Sequence, residues 1–366
     1  MLKGIKPAII ALAIAHSGAA ISTTAELPAL NALADKTSIS GLSSGAFMAA
    51  QFHVAYSKDL MGVGVVAGGP WNCAANNPYA LPIVNATTTC MNPCELNEAF
   101  CPTVMFPNSN YLASLAKQAA QSKRIDSTEH LKSDKVYIFS GKNDHTVATG
   151  VVDSTEKFYQ VLGLKRDQIL YDKTVDAGHA FITTNQADTQ CKKTQEPFIN
   201  NCDLPQAQKI FEHIYGSQNP PAANWTGELI EFDQSAFFNN ELASMNKSAF
   251  VYVTTSCRTE QCKVHVAMHG CEQGMSEIGD IYVKGTGYLE AADTNNTIVL
   301  FPQVKKSSGP YPYNPKGCWD FWGYSVSMSP LLSWSQNYST KNAPQMVAIK
   351  SMIDKLISRP VHLTKN

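Results

Sequence analysis

Residues 41–45 read Gly-Leu-Ser-Ser-Gly, a G-x-S-x-G pattern that can carry acyl-transfer chemistry. In such a pattern the serine lies on a strained turn between a strand and a helix, and the glycines stand where a Cβ would clash. The flanks agree with that turn, because residues 37–40 can form a short strand and residues 45–52 have helical spacing. Three apolar side chains share one stripe of this helix: Met48, Phe52 and Tyr56. We therefore predict that Ser43 is a nucleophile.

A serine nucleophile needs a base, and the base needs an acid that orients it. Downstream, a predicted strand at residues 135–140 ends shortly before Asp144, and a second at residues 168–171 leads to His179. The chain order of serine, acid and histidine is that of α/β-hydrolases, in which the last two stand on loops at the carboxyl ends of strands. We predict that His179 is the base and that Asp144 orients it.

Both assignments have alternatives. The orienting acid could instead be Asp172 or Asp176, although both lie close to the histidine in the chain, and Asp144 would then be a turn residue. His145 adjoins the predicted acid, so we interpret it as a neighbour of the site. His53 lies on the predicted nucleophile helix, and we interpret it as a packing or surface residue.

An oxyanion hole takes one backbone N–H from the residue after the nucleophile and another from a strand–helix loop that often carries His-Gly. In this chain a predicted strand at residues 264–268 is followed by His269 and Gly270. The alternative interpretation is an ordinary turn glycine beside a packed histidine. We predict that this loop completes the oxyanion hole.

The elements around the nucleophile come in an unusual order. The His-Gly loop usually precedes the nucleophile, and here it follows it. A predicted strand at residues 297–302 and a predicted helix at residues 346–356 also look like elements that normally lead to the nucleophile strand. Because chain ends often lie close together in a domain, a circular permutation explains the rotated order.

The start of the chain indicates export. A short basic stretch precedes an apolar run at residues 8–15, which is too short to span a bilayer, and small residues follow at 18–20. We predict a secretory signal over residues 1–22 and a secreted protein, extracellular or periplasmic, with an uncleaved membrane anchor as the alternative. Residues 23–366 are expected to form one catalytic domain, although a loop at residues 216–223 could join two halves.

Composition limits the classes of partner and cofactor expected for this chain. The net charge is −1 and no basic run occurs, so nucleic acid is not expected as a partner. Ten cysteines, an even number in an exported chain, indicate disulfides. Zinc is the alternative, because Cys257 with Cys262 and Cys90 with Cys94 have loosely metal-like spacing, but no paired histidines follow. We expect neither a metal nor an organic cofactor, and we expect a monomer without a stable membrane anchor.

Five segments carry a family resemblance: residues 41–48, 141–145, 177–179, 269–271 and 316–324. Together, and in this permuted order, they resemble the secreted poly(3-hydroxybutyrate) depolymerases of the circularly permuted, single-domain type. The resemblance extends from about residue 36 to the C-terminus. It implies an α/β fold with a mostly parallel central sheet and helices on both faces.

The resemblance also implies roles for individual residues. The triad of the family corresponds to Ser43, Asp144 and His179. Its oxyanion donors correspond to the backbone amides of Ser44 and Cys271. Its substrate-binding tryptophan corresponds to Trp319 or Trp322, and the nearby Tyr311 and Tyr313 could line the same apolar cleft.

The cysteines can then be paired in part. Cys271 belongs to the predicted oxyanion loop, and Cys318 opens the aromatic segment that should lie beside that loop, so we predict a disulfide between them. Two local pairs are expected as well: Cys257 with Cys262, and Cys191 with Cys202. The four remaining cysteines pair among themselves in an order that the sequence does not fix: Cys73, Cys90, Cys94 and Cys101.

These observations predict a secreted serine esterase that cleaves poly(3-hydroxybutyrate) or its oligomers through an acyl-enzyme. One alternative is an esterase on soluble esters, such as feruloyl or acetyl-xylan esters, because specificity depends on the shape of the pocket. A second is a catalytically inactive hydrolase fold used for binding, against which the retained triad and His-Gly loop argue. A peptidase is a third alternative, and the neutral aromatic segment gives it no support.

Overall fold

The computed structural model of this protein describes residues 25–95, 101–309, 311–326 and 337–360. The predicted secretory signal, residues 1–22, lies outside the described residues. Within the described ranges, no helix combines the length and the apolar character that crossing a membrane requires.

The described ranges contain eleven strands and nine α-helices. The strands are β1 (Thr37–Leu42), β2 (Gly62–Val66), β3 (Lys135–Phe139), β4 (Ile169–Asp172), β5 (Phe181–Thr183), β6 (Thr189–Gln190), β7 (Ile199–Asn201), β8 (Glu228–Asp233), β9 (Ser248–Val253), β10 (Lys263–Met268) and β11 (Thr297–Phe301). The helices are α1 (Ser44–Ala55), α2 (Pro82–Thr87), α3 (Ser109–Gln121), α4 (Thr149–Val161), α5 (Gln206–Tyr215), α6 (Met275–Ile278), α7 (Ile281–Gly285), α8 (Tyr288–Asp293) and α9 (Pro344–Ile357).

Eight of these strands form one central sheet in the order β4-β3-β2-β1-β10-β11-β9-β8. The six strands from β4 to β11 in this order run parallel, and β9 and β8 add antiparallel pairs at one edge. Strand β1 pairs with β10 on one side, where Ile39 stands opposite Val266, and with β2 on the other, where Ile39 stands opposite Val63. The predicted strand at residues 264–268 therefore lies beside β1, the strand that leads to Ser43.

The sheet has the strand order of a circularly permuted α/β-hydrolase fold. The strands at the β8 end come from the second half of the chain, whereas those at the β4 end come from the first half. The loop around residues 216–223 does not separate two sheets, because the strands before and after it share the central sheet. Strands β5, β7 and β6 form a separate small sheet beside the central one.

Helices cover both faces of the central sheet, because its strands are apolar on both sides. One apolar cluster joins α1, α4 and α9 to the sheet, with Phe47, Phe158 and Ile349 buried in it. A second cluster joins α5 and α8 to the opposite face, with Phe211 and Leu289 buried in it.

The first described residues lie against the last described helix. The N–H groups of Leu30 and Ala32 donate to the carbonyl of Leu356, at 3.1 and 3.2 Å, and the N–H of Asn31 donates to Ser358 at 2.9 Å. This contact joins the two ends of the described chain on one side of the fold, which is the geometry that a circular permutation needs.

Helix α1 differs from the amphipathic helix that the sequence predicts. Every residue of α1 is buried, and not only the predicted apolar stripe. The reason is that α1 packs on the sheet with one face and is covered on the other, where Phe47 stacks on Phe321 with ring centroids 4.4 Å apart. A helix enclosed on all sides needs no polar face.

All ten cysteines are paired in disulfides. The bond between Cys271 and Cys318 is present, which confirms that prediction, and so are both predicted local pairs. The remaining four cysteines form two further bonds: Cys73 with Cys90, and Cys94 with Cys101. The alternative in which cysteines bind zinc is therefore wrong.

Candidate active site

Ser43 lies on a strained turn between β1 and α1. Its backbone has φ 56° and ψ −123°, a conformation that non-glycine residues rarely adopt and that is typically held only by the surrounding structure. The two glycines of the motif make the turn possible. A Cβ on Gly41 would lie 2.3 Å from the backbone of Gly45, and a Cβ on Gly45 would lie 2.4 Å from the carbonyl oxygen of His269. The turn therefore exposes the serine at the carboxyl end of β1.

His179 and Asp144 form a buried pair. The Nδ1 of His179 lies 2.7 Å from Oδ2 of Asp144, and the side chains are 7% and 0% exposed. The other carboxylate oxygen, Oδ1, accepts the N–H groups of Thr146 and Val147, both at 2.9 Å. With both oxygens engaged, the carboxylate cannot rotate, so it holds a proton on Nδ1 and leaves Nε2 of His179 as the acceptor.

The alternative acids are engaged elsewhere. Asp176 is exposed and pairs with Lys192 and Asn143, and the lysine lowers its pKa. Asp172 accepts hydrogen bonds from the N–H and the hydroxyl of Thr174. Neither carboxylate is bonded to His179 in the described structure.

The structure also shows the positions of His145 and His53. The backbone carbonyl of His145 accepts a hydrogen bond from Asn92, and the residue adjoins the acid as expected. His53 is buried between Tyr159 and Asp134, so it is a packing residue of α1 and does not lie at the surface.

Ser43 and His179 line the same cavity of about 490 Å³, which we call the histidine-side cavity. The described hydrogen bonds of His179 go to Asp144 and, from its backbone N–H, to the hydroxyl of Thr194 at 2.8 Å. A catalytic hydrogen bond from the Ser43 hydroxyl to Nε2 is of the kind that often tightens only when substrate binds. The structure thus brings the predicted nucleophile, base and acid to one place.

The loop after β10 touches the nucleophile turn. A Cβ built on Gly270 would lie 3.3 Å from the Cβ of Ser43. Within the described residues, the N–H groups of Ser44 and Cys271 take part in no hydrogen bond. Ser44 is the first residue of α1, where an N–H has no partner inside the helix. Two unbonded donors therefore belong to residues beside the serine.

His269 fixes the direction of one of these donors. Its Nδ1 donates to the carbonyl of Gly270 at 2.6 Å, and its Nε2 accepts the N–H of Val304 at 3.3 Å. Burial lowers the pKa of His269 to about 4, so the ring is neutral at pH 7 and suits both bonds. In a trans peptide the C=O and the N–H point in opposite directions, so holding the Gly270 carbonyl directs the N–H of Cys271 away from His269.

A second cavity of about 240 Å³ lies on the other side of Ser43, and we call it the apolar cavity. Most of its wall is apolar: Phe47, Ile83, Met91, Val147, Phe321 and Trp322. Lys316 lines both cavities and pairs with Glu272 at 3.2 Å. Among the described residues that line the apolar cavity it is the charged one, and the six residues named above carry no charge.

The two candidate tryptophans have different positions. Trp322 is 6% exposed and lines the apolar cavity. Trp319 is 0% exposed, lines neither cavity, and packs its ring 5.6 Å from that of His269. Of the two candidates, the structure therefore places only Trp322 on a cavity wall beside Ser43, because the chain turns between the two residues. Of the two tyrosines, Tyr313 lines the apolar cavity and Tyr311 does not.

Asp320 makes the turn that separates the tryptophans, and the sequence analysis missed it. One carboxylate oxygen accepts the N–H groups of Trp322, Gly323 and Tyr324 at 3.2, 2.6 and 3.1 Å. The other accepts the N–H and the hydroxyl of Ser325 at 3.0 and 2.6 Å. Burial raises the pKa of Asp320, and the donors of Ser325, Gly323 and Trp322 act in the opposite direction. A carboxylate inside an aromatic segment was the available signal, since a buried charge requires such donors.

The segment between β2 and β3 supplies another wall that sequence reasoning missed. Ile83, Thr87 and Met91 line the apolar cavity, and the carbonyl of Met91 accepts the N–H of Ala148 at 2.9 Å. The disulfide between Cys73 and Cys90 closes a loop within this segment. The cysteines of the sequence indicate crosslinks here, but they do not indicate that the segment packs against the active site. In the described part of the chain, no cluster of three or more histidine, cysteine or acidic residues is arranged to hold a metal ion.

No protein-family model matches the chain. Among curated proteins, it is 37% identical to a poly(3-hydroxybutyrate) depolymerase from Delftia acidovorans over 345 residues, which cover 92% of this chain. That protein is longer, and the match spans 63% of its length. The chain is 32% identical to a polyhydroxybutyrate depolymerase from Talaromyces funiculosus over 363 residues, covering 95% of this chain and 97% of the relative.

Solved structures agree with these relatives. The fold matches the crystal structure of a PHB depolymerase from Penicillium funiculosum with a TM-score of 0.78 and 30% sequence identity. It also matches a serine-to-alanine variant of a PHB depolymerase complexed with an R3HB trimer, with a TM-score of 0.78 and 31% identity. Each match covers 91% of this chain and 99% of the solved one.

Proposed function

The chain belongs to the family of the polyhydroxybutyrate depolymerases, and from that premise we propose that it is a serine esterase that hydrolyses poly(3-hydroxybutyrate) or its oligomers. One observation carries the proposal. The buried pair of Asp144 and His179 opens into the same cavity as Ser43, beside two unbonded backbone N–H groups. That arrangement suits the hydrolysis of an ester through an acyl-enzyme.

In the proposed reaction, the Ser43 hydroxyl attacks the ester carbonyl while His179 takes its proton. Asp144 stabilises the resulting imidazolium, and the amides of Ser44 and Cys271 stabilise the negative charge on the carbonyl oxygen. His179 then returns the proton to the leaving alcohol. A water molecule that gives its proton to His179 releases the acid and restores the serine.

The two cavities suggest how the substrate lies. Because His179 has to protonate the leaving alcohol, the alcohol side of the scissile ester belongs in the histidine-side cavity. The acyl side then belongs in the apolar cavity, against Trp322. A chain of neutral ester units offers no charge for recognition, and the apolar wall fits that chemistry. The solved relative complexed with an R3HB trimer supports the same substrate class.

We propose that the protein acts outside the cytoplasm. Five disulfides are typical of proteins that fold in an oxidising compartment. The residues predicted to form the secretory signal precede the described part of the chain.

The experiment is an activity assay on a panel of esters. We expect the protein to release 3-hydroxybutyrate and its oligomers from amorphous polymer faster than it hydrolyses feruloyl or acetyl esters. Replacing Ser43 with Ala should abolish the release, and a serine-directed phosphonate should label Ser43 alone. Loss of a triad nucleophile typically lowers kcat by about 10⁴- to 10⁶-fold.

Other results would contradict the proposal. Faster turnover of the soluble esters would identify the protein as an esterase of that class. Full activity in Ser43→Ala would reject the nucleophile. No turnover of any ester by the folded protein would favour a binding function.

A further inference from the structure

Gln273 is a buried amide on the loop after β10, and neither the sequence analysis nor the proposed reaction uses it. It is 1% exposed and lines the histidine-side cavity. Its Oε1 accepts the N–H of Gly270 at 2.7 Å. Its Nε2 donates to the carbonyls of Pro197 and Phe198 at 2.8 and 3.3 Å. One donor and two acceptors surround the side chain, so the orientation of the amide is fixed by its partners.

On one side Gln273 holds the oxyanion loop. The peptide groups on both sides of Gly270 are anchored, the N–H by Gln273 and the carbonyl by His269 at 2.6 Å. The N–H of Cys271 belongs to the second of these peptides, so its direction depends on both anchors. Without the amide, the N–H of Gly270 would be buried with no partner, and the loop would have to turn to satisfy it.

On the other side Gln273 holds the segment that positions the histidine. Pro197 and Phe198 follow shortly after Thr194 in the chain, and the hydroxyl of Thr194 accepts the backbone N–H of His179 at 2.8 Å. The N–H of Phe181, two residues after the histidine, donates to the carbonyl of Phe198 at 2.9 Å. The segment that Gln273 anchors therefore accepts hydrogen bonds from the backbone N–H groups of His179 and Phe181.

We propose that Gln273 is a positioning residue that keeps the oxyanion donor of Cys271 and the imidazole of His179 at the spacing the reaction needs. Its side-chain hydrogen bonds go to Gly270, Pro197 and Phe198 and none goes to Ser43 or His179, so it acts through the two loops that it joins. The inference rests on the proposed function, because it assigns Gln273 a part in that same ester hydrolysis.

The chain contains a matched control for this role. Gln168 has the same hydrogen-bonding pattern: its Oε1 accepts the N–H of Lys165 at 2.9 Å, and its Nε2 donates to the carbonyls of Lys132 and Asp134 at 2.8 and 3.0 Å. It is 8% exposed and precedes β4, at the opposite end of the strands from the active site. Substitutions at Gln168 disturb a similar buried amide without touching the catalytic loops.

The test compares Gln273→Glu and Gln273→Met with Gln168→Glu and Gln168→Met on a small p-nitrophenyl ester, well below the melting temperature of each variant. Displacement of a catalytic group by about 1 Å can lower a rate about 10²-fold. We expect both Gln273 variants to lose kcat by about that factor, with KM changed by less than about threefold because the apolar cavity is intact. The Gln168 variants should lower Tm by a similar amount and keep kcat.

The pH profile adds a readout that a purely structural role would not move. A glutamate at position 273 keeps the acceptor for Gly270, but as a carboxylate it cannot donate to Pro197 or Phe198. Once protonated, it can donate one of these bonds again. The kcat of Gln273→Glu relative to the unsubstituted protein should therefore rise as the pH falls, whereas the same ratio for Gln273→Met should stay flat.

Three results would overturn the inference: unchanged kcat in the Gln273 variants, an equal loss of kcat in the Gln168 variants, or a flat ratio for Gln273→Glu. Failure of the proposed function gives a different result, because it is seen in the unsubstituted protein, which would then hydrolyse either no ester or soluble esters faster than the polymer. If Gln273→Met does not fold, Gln273→Glu alone decides, since it keeps the size of the side chain and the bond to Gly270.

Discussion

At the scale of single residues, the carboxylate of Asp320 decides which tryptophan can meet a substrate. It binds the backbone of the residues that follow it and turns the chain, so that Trp322 faces the apolar cavity while Trp319 stays in the core. The two tryptophans, only three positions apart, therefore have different surroundings. Composition could not separate the two, because both have the same side chain.

We predict that Trp322→Ala lowers the hydrolysis of hydroxybutyrate oligomers about 10- to 100-fold relative to that of a small p-nitrophenyl ester. Burying a large apolar side chain contributes roughly 1.5–3 kcal/mol, and only the oligomer is long enough to use that contact. Rates on both substrates, measured side by side, give the ratio. Trp319→Phe is the control, since it should lower Tm and leave the ratio unchanged. An equal loss on both substrates in Trp322→Ala would argue against a substrate contact.

At the scale of elements, the disulfide between Cys271 and Cys318 joins the oxyanion loop to the segment that carries Trp322. It closes a loop of 47 residues, whereas the disulfide between Cys257 and Cys262 closes one of 5 residues before β10, at the opposite end of that strand from the active site. The two bonds therefore offer a comparison between a crosslink at the site and one away from it.

We predict that replacing Cys271 and Cys318 by alanine lowers the free energy of unfolding by roughly 2–5 kcal/mol, which is the usual cost of losing a native disulfide. It should also lower kcat on esters of every length, because the donor N–H of Cys271 loses one of its restraints. Replacing Cys257 and Cys262 should lower stability less and leave kcat unchanged. Chemical denaturation and steady-state kinetics on both double variants check this. Unchanged kcat in the first would mean that the hydrogen bonds of the loop suffice.

Much of the element order could be predicted from the sequence, because short apolar strands and the strained turn at Ser43 leave clear local patterns. The positions of Asp144 and His179 followed from the order of these strands. The apolar stripe on α1 indicated burial of only one face, whereas the whole helix is buried. Burial of the other face depends on the segments that cover it, which the helix's own sequence does not indicate. The wall formed by Met91 and the anchor at Gln273 were missed, because both depend on contacts between segments far apart in the chain.

At the scale of the whole molecule, two buried histidines, His265 on β10 and His269 directly after it, make stability depend on pH. His265 lies between the hydroxyls of Ser38 and Ser40, at 2.6 and 2.7 Å, and burial lowers its pKa to about 3. The tyrosines near it, Tyr215 and Tyr288, have raised pKa values and stay neutral below pH 10. His269 has a pKa of about 4 for the same reason.

The sign follows from the unfolded chain, in which a histidine has a pKa of about 6.5. Because the folded pKa is lower, the unfolded chain binds protons more tightly, and the stabilising contribution is complete only above about pH 6.5. It is lost as the pH falls from there towards about 3 for His265 and about 4 for His269, by up to about 1.4 kcal/mol per pH unit for each histidine. We predict that His265→Gln is less stable at pH 7 and has a shallower pH dependence. Urea unfolding between pH 7 and pH 4 measures how the free energy of unfolding of the variant and of the unsubstituted protein changes with pH. Equal slopes for the two proteins would contradict the role given to His265.

The circular permutation gives a prediction about the whole chain. The first and last described segments already touch, since Leu30 donates to Leu356. The loop that connects α5 to β8 is exposed at Ala223 and Asn224. Opening the chain there and joining Pro360 to Ala25 would give the strand order of an unpermuted α/β-hydrolase. A flexible linker of about ten residues spans roughly 17 Å, which suits segments that are already hydrogen-bonded to each other at Leu30 and Leu356.

We predict that such a rearranged protein, opened between Ala223 and Asn224, folds and keeps kcat/KM on a p-nitrophenyl ester within about tenfold of the original. The physical reason is that the cut breaks no strand pairing, because β8 keeps its partner β9 and all four strands that lead to the site stay in the sheet. Circular dichroism, a single thermal transition and ester kinetics together check the outcome. A matched chain opened inside the loop between β10 and α6 should fail, because it cuts the oxyanion loop itself. If the first protein fails in the same way as the second, the order of the elements matters to this fold beyond the contacts they make.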